Sequence, residues 1–169
     1  MARDHARIKT AIWRDGDWRA LSLEAQWLYK TMASQEALSR CGVLDWRPGR
    51  LAALASGATV KKVESAAKAL ESARFVVIDR LTEEALIRTY VRHDGVLDRA
   101  NMGKAVARAL AKVVSVEIRD AVLMELSREF RRDPALAGFR GIADLFPEDM
   151  AAVRAMASAI PFPMASGEA

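Results

Sequence analysis

RLAALASGATVKKVESAAKAL, residues 50–70, reads as two short helices joined at a glycine. Small Ala53 stands four residues before Gly57, and apolar Val63 follows six residues after it. That spacing suits a helix-turn-helix. The first helix needs a small residue where the second crosses it, and the turn needs one that accepts positive φ without steric cost. In the second helix, expected from Val60 to Ala73, the residues Val60, Val63, Ala67 and Leu70 recur at helical spacing and face the core. Lys61, Lys62, Ser65 and Lys68 are left on the opposite side, and Thr59 is placed to cap the first turn.

Outward from this stretch, the flanking segments alternate between strand and helix signals. Phe75–Ile78 is a short β-branched run, DRLTEE follows as a turn, and Ala85–Val91 is expected as the return strand of a hairpin. Upstream, Pro48 sits where a helix would start, and Gly42–Asp45 reads as a short strand. Ser22 can cap a helix running to about Ser34, with Leu23, Trp27, Leu28 and Met32 as its apolar stripe. Ala6–Trp13 alternates with period two and is expected as a strand, with RDGD at 14–17 as its turn. Strand, helix, strand, helix, helix, hairpin is the order of a winged helix.

Beyond residue 98 the composition becomes alanine-rich and helical. Helices are expected over Asn101–Val114 and Val116–Arg131, with Ser115 placed to cap the second and Pro134 to stop it. Gly138 and Gly141 read as a loop, Pro147–Ile160 as a last helix, and PFPMASGEA as a frayed end. Val106, Leu110, Val113, Val114, Ile118, Val122 and Leu126, with Leu123 and Phe130 alongside, are too apolar to lie wholly exposed, so these helices fold back on the first unit or pair with a second copy. The fold class expected is mainly α with a small β-hairpin. A winged-helix domain spans residues 1–98, and a C-terminal helical extension spans 99–169.

Composition narrows the function classes. Hydrophobic residues make up 51% and charged ones 28% of the 169, as in a folded rather than a disordered chain. No apolar run approaches the ~18–20 residues of a membrane span, and MARDHARIKT lacks the apolar core of a secretory signal. A cytoplasmic, membrane-free protein is the expectation. Cys41 stands alone, which rules out an internal disulfide or a multi-cysteine zinc site. The net charge of +4 is unevenly spread. Residues 1–100 hold 17 Lys/Arg against 13 Asp/Glu, whereas residues 134–169 hold 2 against 4, so the positive field belongs to the helix-turn-helix region.

The residues expected to meet double-stranded DNA are Thr59, Lys61, Lys62, Ser65 and Lys68 on the second helix. Arg47 and Arg50 near the start of the preceding helix and Arg80 at the hairpin turn complete the set. Lysines on a helix face are often just solvated; the glycine turn and the hairpin are what favour DNA contact here. Lysines neutralise phosphates but discriminate bases poorly, and these helix positions offer no Arg, Asn or Gln for bidentate base contacts. Binding with little sequence preference follows. Asp79, Glu83 and Glu84 around Arg80 oppose deep insertion of the hairpin. Trp27 belongs to the core stripe, and Trp13 and Trp18 read as packing anchors rather than base-stacking platforms. Enzyme chemistry finds little support. His5 and His93 are the only histidines, and no phosphate-binding GxxxxGK[ST] or GxGxxG loop is present. No cofactor, metal or catalytic residue is expected.

Residues 3–115 carry a family resemblance. ARIKTAIWRDGDWRALSLEAQWLYKTMASQ, GVLDWRPGRLAALASG, ALESARFVVID and TEEALIRTYVRHDGV resemble the winged-helix proteins of actinobacteria and their phages, often labelled DnaD-like. The IWxDxDW, AQxLY and VRHDGV pieces are its most specific parts. More distantly, the arrangement is similar to the N-terminal domain of phage replisome organisers, which bind origin DNA. The resemblance implies a phage- or prophage-encoded protein that binds DNA through the helix from Thr59 and acts in replication initiation. It supplies no catalytic residues. The C-terminal part departs from longer relatives: it is short and lacks a YxxxIxxxW-type motif. Two alternatives accompany this reading: a dimeric transcriptional regulator paired through the C-terminal helices, and a winged-helix scaffold that docks a replication or host protein.

Overall fold

Asp15 opens the first helix of the chain by accepting hydrogen bonds from the Asp17 and Trp18 amides at 2.9 and 3.1 Å. The structure, a computed structural model, describes residues 6–159. Helix α1 (Gly16–Ala20) carries Trp18, which is fully buried against the edges of Tyr29 and Phe75. Ser22 caps α2 (Leu23–Ala33) through the Ala25 amide, and Ala25, Leu28 and Met32 are its buried residues. Trp27 is half-buried against the core. Leu23, in the first turn, is 80% exposed instead of joining the stripe.

Strand β1 (Val43–Asp45) leads into α3 (Pro48–Ala52), where proline takes the first helical position and needs no amide partner. The helix ends at Ala52, and the chain turns through Gly57 at φ +76°. Helix α4 (Val60–Ser72) follows. The Thr59 hydroxyl accepts from the Lys62 amide at 3.2 Å, and Val63, Ala66, Ala67 and Leu70 are buried. Val60 is half exposed, because it starts the helix beyond the edge of the core, and Ala66 takes the fourth inward position.

Strands β2 (Val76–Asp79) and β3 (Glu84–Ile87) form an antiparallel hairpin with Val76 opposite Ile87 and Asp79 opposite Glu84. β1 pairs with the other edge of β3, Val43 opposite Leu86, so the sheet order is β1-β3-β2. Ala85, Leu86 and Ile87 are all buried. Since successive strand residues point to opposite faces, both faces of the central strand are covered. Four further helices follow among the described residues: α6 (Ala100–Leu110), α7 (Val116–Arg132), α8 (Ala137–Leu145) and α9 (Pro147–Ala159), preceded by a single turn, α5 (Tyr90–His93). Helix α7 lies against β2, β3 and α5, while α8 crosses α6 and α9 packs on α7. The molecule is mainly helical with one small antiparallel sheet, and among the described residues no helix is long and apolar enough to cross a membrane.

Besides Leu23 and Val60, four sequence expectations are corrected. Ala6–Trp13 forms no strand: Thr10–Arg14 is a 3-10 turn with no buried residue, and the sheet consists of β1, β3 and β2 alone among the described residues. The return strand stops at Ile87, where its partner β2 begins, and Tyr90–Val91 turn into the core as part of α5. The first long C-terminal helix ends at Leu110 rather than Val114. Gly138 and Gly141 lie inside α8, not in a loop. A Cβ at Gly138 would strike the Leu97 backbone, and one at Gly141 would strike the Ala100 carbonyl, so these glycines let two backbones touch. The frayed end expected over PFPMASGEA, 161–169, lies outside the described residues.

Candidate nucleic-acid interface

Helix α4 presents its lysines by geometry rather than by any special local structure. With Val63, Ala66, Ala67 and Leu70 turned to the core, the 3.6-residue repeat places Lys61, Ser65, Lys68 and Ser72 on the far side, and all four are exposed. Lys61 and Lys68 are two turns apart on one stripe, about 10 Å along the axis. Lys62 sits to one flank. Its ammonium donates to the Gly57 carbonyl at 2.8 Å, so it also closes the turn that starts the helix. Thr59 is exposed but its hydroxyl is engaged in the cap.

The opposite flank of α4 carries Glu64 and Glu71, again two turns apart, and they receive Arg80 from the hairpin turn. Arg80 Nη2 lies 3.0 Å from both Glu64 Oε2 and Glu71 Oε2; Nε reaches Glu64 at 3.2 Å and Nη1 reaches Glu71 at 3.1 Å. The hydrogen bonds it donates to Glu71, and then to Glu64, raise the guanidinium pKa above its ordinary value against the opposing effect of burial. The same guanidinium stands 6.0 Å from the ring of Trp46, which is itself buried. Arg80 is therefore placed beside α4 but with its charge already matched by two carboxylates.

Two of the hairpin acids, Asp79 and Glu84, are engaged within the chain as well. Asp79 accepts from the Leu81 and Thr82 amides and, together with Ser115, shapes the turn; the Ser115 hydroxyl is the main cause of its lowered pKa. Glu84 reaches across to the Val114 and Ser115 amides at 3.0 and 2.7 Å and so satisfies the approach to α7. Glu83, at φ +55°, faces solvent. Arg47, at the start of α3, lies 3.4 Å from Asp45 across an exposed pair, and Arg50 is exposed one turn later. The structure thus gathers Thr59, Lys61, Lys62, Ser65 and Lys68 on one helix, and sets Arg47 and Arg50 on the element before it.

One charged cluster is invisible to a linear reading. Glu125 and Glu129 of α7 are buried, with side-chain exposures of 2% and 3%, and four arginines converge on them. Arg88 and Arg128 meet Glu125, Arg92 spans Glu125 and Glu129, and Arg132 meets Glu129. Arg88 and Glu125 are 37 residues apart, as are Arg92 and Glu129, pairings that no local pattern reveals. Only Arg128 and Arg132, one turn from their partners on α7, were open to a spacing argument. Among the described residues no group of three or more His, Cys, Asp or Glu side chains is arranged to hold a metal. Cys41 is buried; burial raises its thiol pKa, and its sulfur lies 3.3 Å from the Ser39 hydroxyl.

Neither a protein family, nor a curated protein, nor a solved structure matches the chain.

Proposed function

We propose that the chain binds duplex DNA through α4 as a winged helix, and that it serves replication initiation in a phage or prophage. The observation that carries this reading is the exposed Lys61–Ser65–Lys68 stripe, backed by a buried apolar face and preceded by the Gly57 turn. The winged-helix description rests on the order α2, β1, α3, α4, β2, β3 and on the sheet order β1-β3-β2, in which the hairpin flanks α4. The replication role rests on the sequence resemblance. Contact is mainly to phosphates, since the stripe offers lysine and serine and no Arg, Asn or Gln to read base edges. Arg80 adds little free charge while Glu64 and Glu71 hold it.

The expected mechanism is counterion release: each lysine that neutralises a phosphate steepens the salt dependence of binding. Lys61→Ala with Lys68→Ala should weaken affinity for a mixed-sequence duplex about tenfold or more at ~150 mM salt and lower the log–log salt slope by roughly 2. Circular dichroism should show an unchanged fold. Wild-type affinity in the double variant sinks the α4 assignment. Selection of bound fragments from the source genome separates the roles: one origin-like region supports replication, and palindromes at promoters support a regulator.

A protein-docking role is the second reading. Leu81 at the hairpin turn is 94% exposed, and Val114 and Val116, beside the amides that Glu84 holds, are 74% and 73% exposed. The dimer expected through the C-terminal helices has less to draw on. Val106, Leu110, Ile118, Val122 and Leu126 are all buried within the chain.

A further inference from the structure

A cavity of about 400 Å³ opens between the segment before α1, helix α2, strand β3 and α5, on ground the DNA reading does not use. Its size falls in the range of small-molecule sites, roughly 300–1,000 Å³. Tyr29, Phe75 and Ile87 form an apolar wall, with Ile12 beside them. Both rings are fixed: Tyr29 and Phe75 stand edge-to-face with each other and with Trp18. The wall therefore does not collapse into the space. It offers flat apolar surface to a flat apolar body.

The rim has the opposite character. Arg7, Lys9, Arg92 and His93 line it, and two acids, Asp15 and Asp94, line it too. The acids are engaged within the chain. Asp15 caps α1, and Asp94 accepts from the Tyr90 hydroxyl at 2.7 Å. Of the cations, Arg92 is shared with Glu125 and Glu129 of α7. Burial first, then the nearby cations Lys9, Arg92 and Arg132, lower the His93 pKa against the opposing Glu125. Burial there disfavours a charge of either sign, so it is the cations lining the rim, Arg7, Lys9 and Arg92, that favour an anion beside His93.

We infer that this cavity binds a small aromatic carboxylate, its ring against Tyr29 and Phe75 and its carboxylate between Lys9 and His93. The site is independent of the DNA reading. It does adjoin α4 in the chain: the Phe75 amide donates to the Leu70 carbonyl at 2.9 Å, closing the end of that helix.

The test uses the full chain and two probes of one shape, indole-3-acetate and its neutral amide, followed through the imidazole NMR signals. His93→Gln identifies the His93 signal against that of His5. Indole-3-acetate should move the His93 signal saturably at about millimolar concentration or below. It should also raise the His93 pKa, because a bound anion stabilises the imidazolium. The amide should bind at least about tenfold more weakly. Lys9→Met should weaken the acid severalfold at unchanged melting temperature, and Lys9→Arg should restore it, since Lys9 lies outside every helix and strand. The proposal is overturned if the acid gives no saturable shift, if acid and amide bind alike, or if inorganic phosphate shifts His93 as strongly as indole-3-acetate.

Discussion

His93 shows how one side chain records its surroundings. Its pKa is held below the ordinary 6.5 first by desolvation and then by Lys9, Arg92 and Arg132, with Glu125 pulling the other way. The unfolded chain takes up this proton near pH 6.5, the folded chain only at lower pH. Between the two values the unfolded state binds more protons, so stability rises with pH across that window and is lost on acidification through it. Urea midpoints measured from pH 7.5 to 5 should therefore fall with pH in the wild type and fall less in His93→Gln. Parallel curves for the two proteins would assign the loss to other groups. The Lys61 and Lys68 prediction belongs at this level too, and so does the contrast with Arg80. A lysine without a carboxylate partner keeps its full charge for a phosphate, and an arginine between two carboxylates does not.

Among the elements, the crossing of α6 and α8 depends most on three missing side chains. Gly103 of α6 faces Gly138 of α8 so closely that a Cβ on Gly103 would land on the Gly138 carbonyl, and Gly141 meets Ala100 in the same way. Backbone on both sides cannot yield as a flexible side chain would. Gly103→Ala should cost on the order of 3 kcal/mol or more, read as a large drop in melting temperature. Gly49→Ala in α3 is the control. A Cβ there meets nothing within 4 Å, and alanine should stabilise the helix by up to about 1 kcal/mol. Equal effects at the two sites would refute the close crossing. Glycine in an apolar, alanine-rich stretch admits two readings, a loop or a contact between helices. Periodicity alone does not choose between them, which is why Gly138 and Gly141 look like a loop in sequence.

Across the chain, the first hundred residues and the helices after them share one core. Helix α7 packs on β2 and β3, Glu84 of β3 holds the amides at its approach, and Arg88 and Arg92 pair with its buried glutamates. Removing either part would bare apolar surface and strand buried charge on the other. The two parts should therefore unfold together. Trp13, Trp18, Trp27 and Trp46 all precede residue 50, so tryptophan fluorescence reports the first part alone, whereas far-ultraviolet circular dichroism also reports α6 to α9. Urea curves by the two probes should coincide. Separate midpoints would show two independently stable units and overturn the shared-core account.

The caps Ser22, Thr59 and Ser115, the proline start of α3, the apolar stripe of α4 with its outward lysines, and the β2–β3 hairpin were all legible in sequence. Each depends on residues within a turn or two of each other, where spacing alone sets geometry. The tertiary structure decided the rest. It left Ala6–Trp13 without a strand partner, ended β3 at Ile87, seated Gly138 and Gly141 in a helix crossing, and brought Arg80 to Glu64 and Glu71. Strand pairing, close backbone contact and charge neutralisation all depend on groups far away along the chain. For that reason the lysine face of α4 could be read directly, while the partners of its flanking acids, and the cationic rim of the cavity at His93, became visible only once the chain had folded.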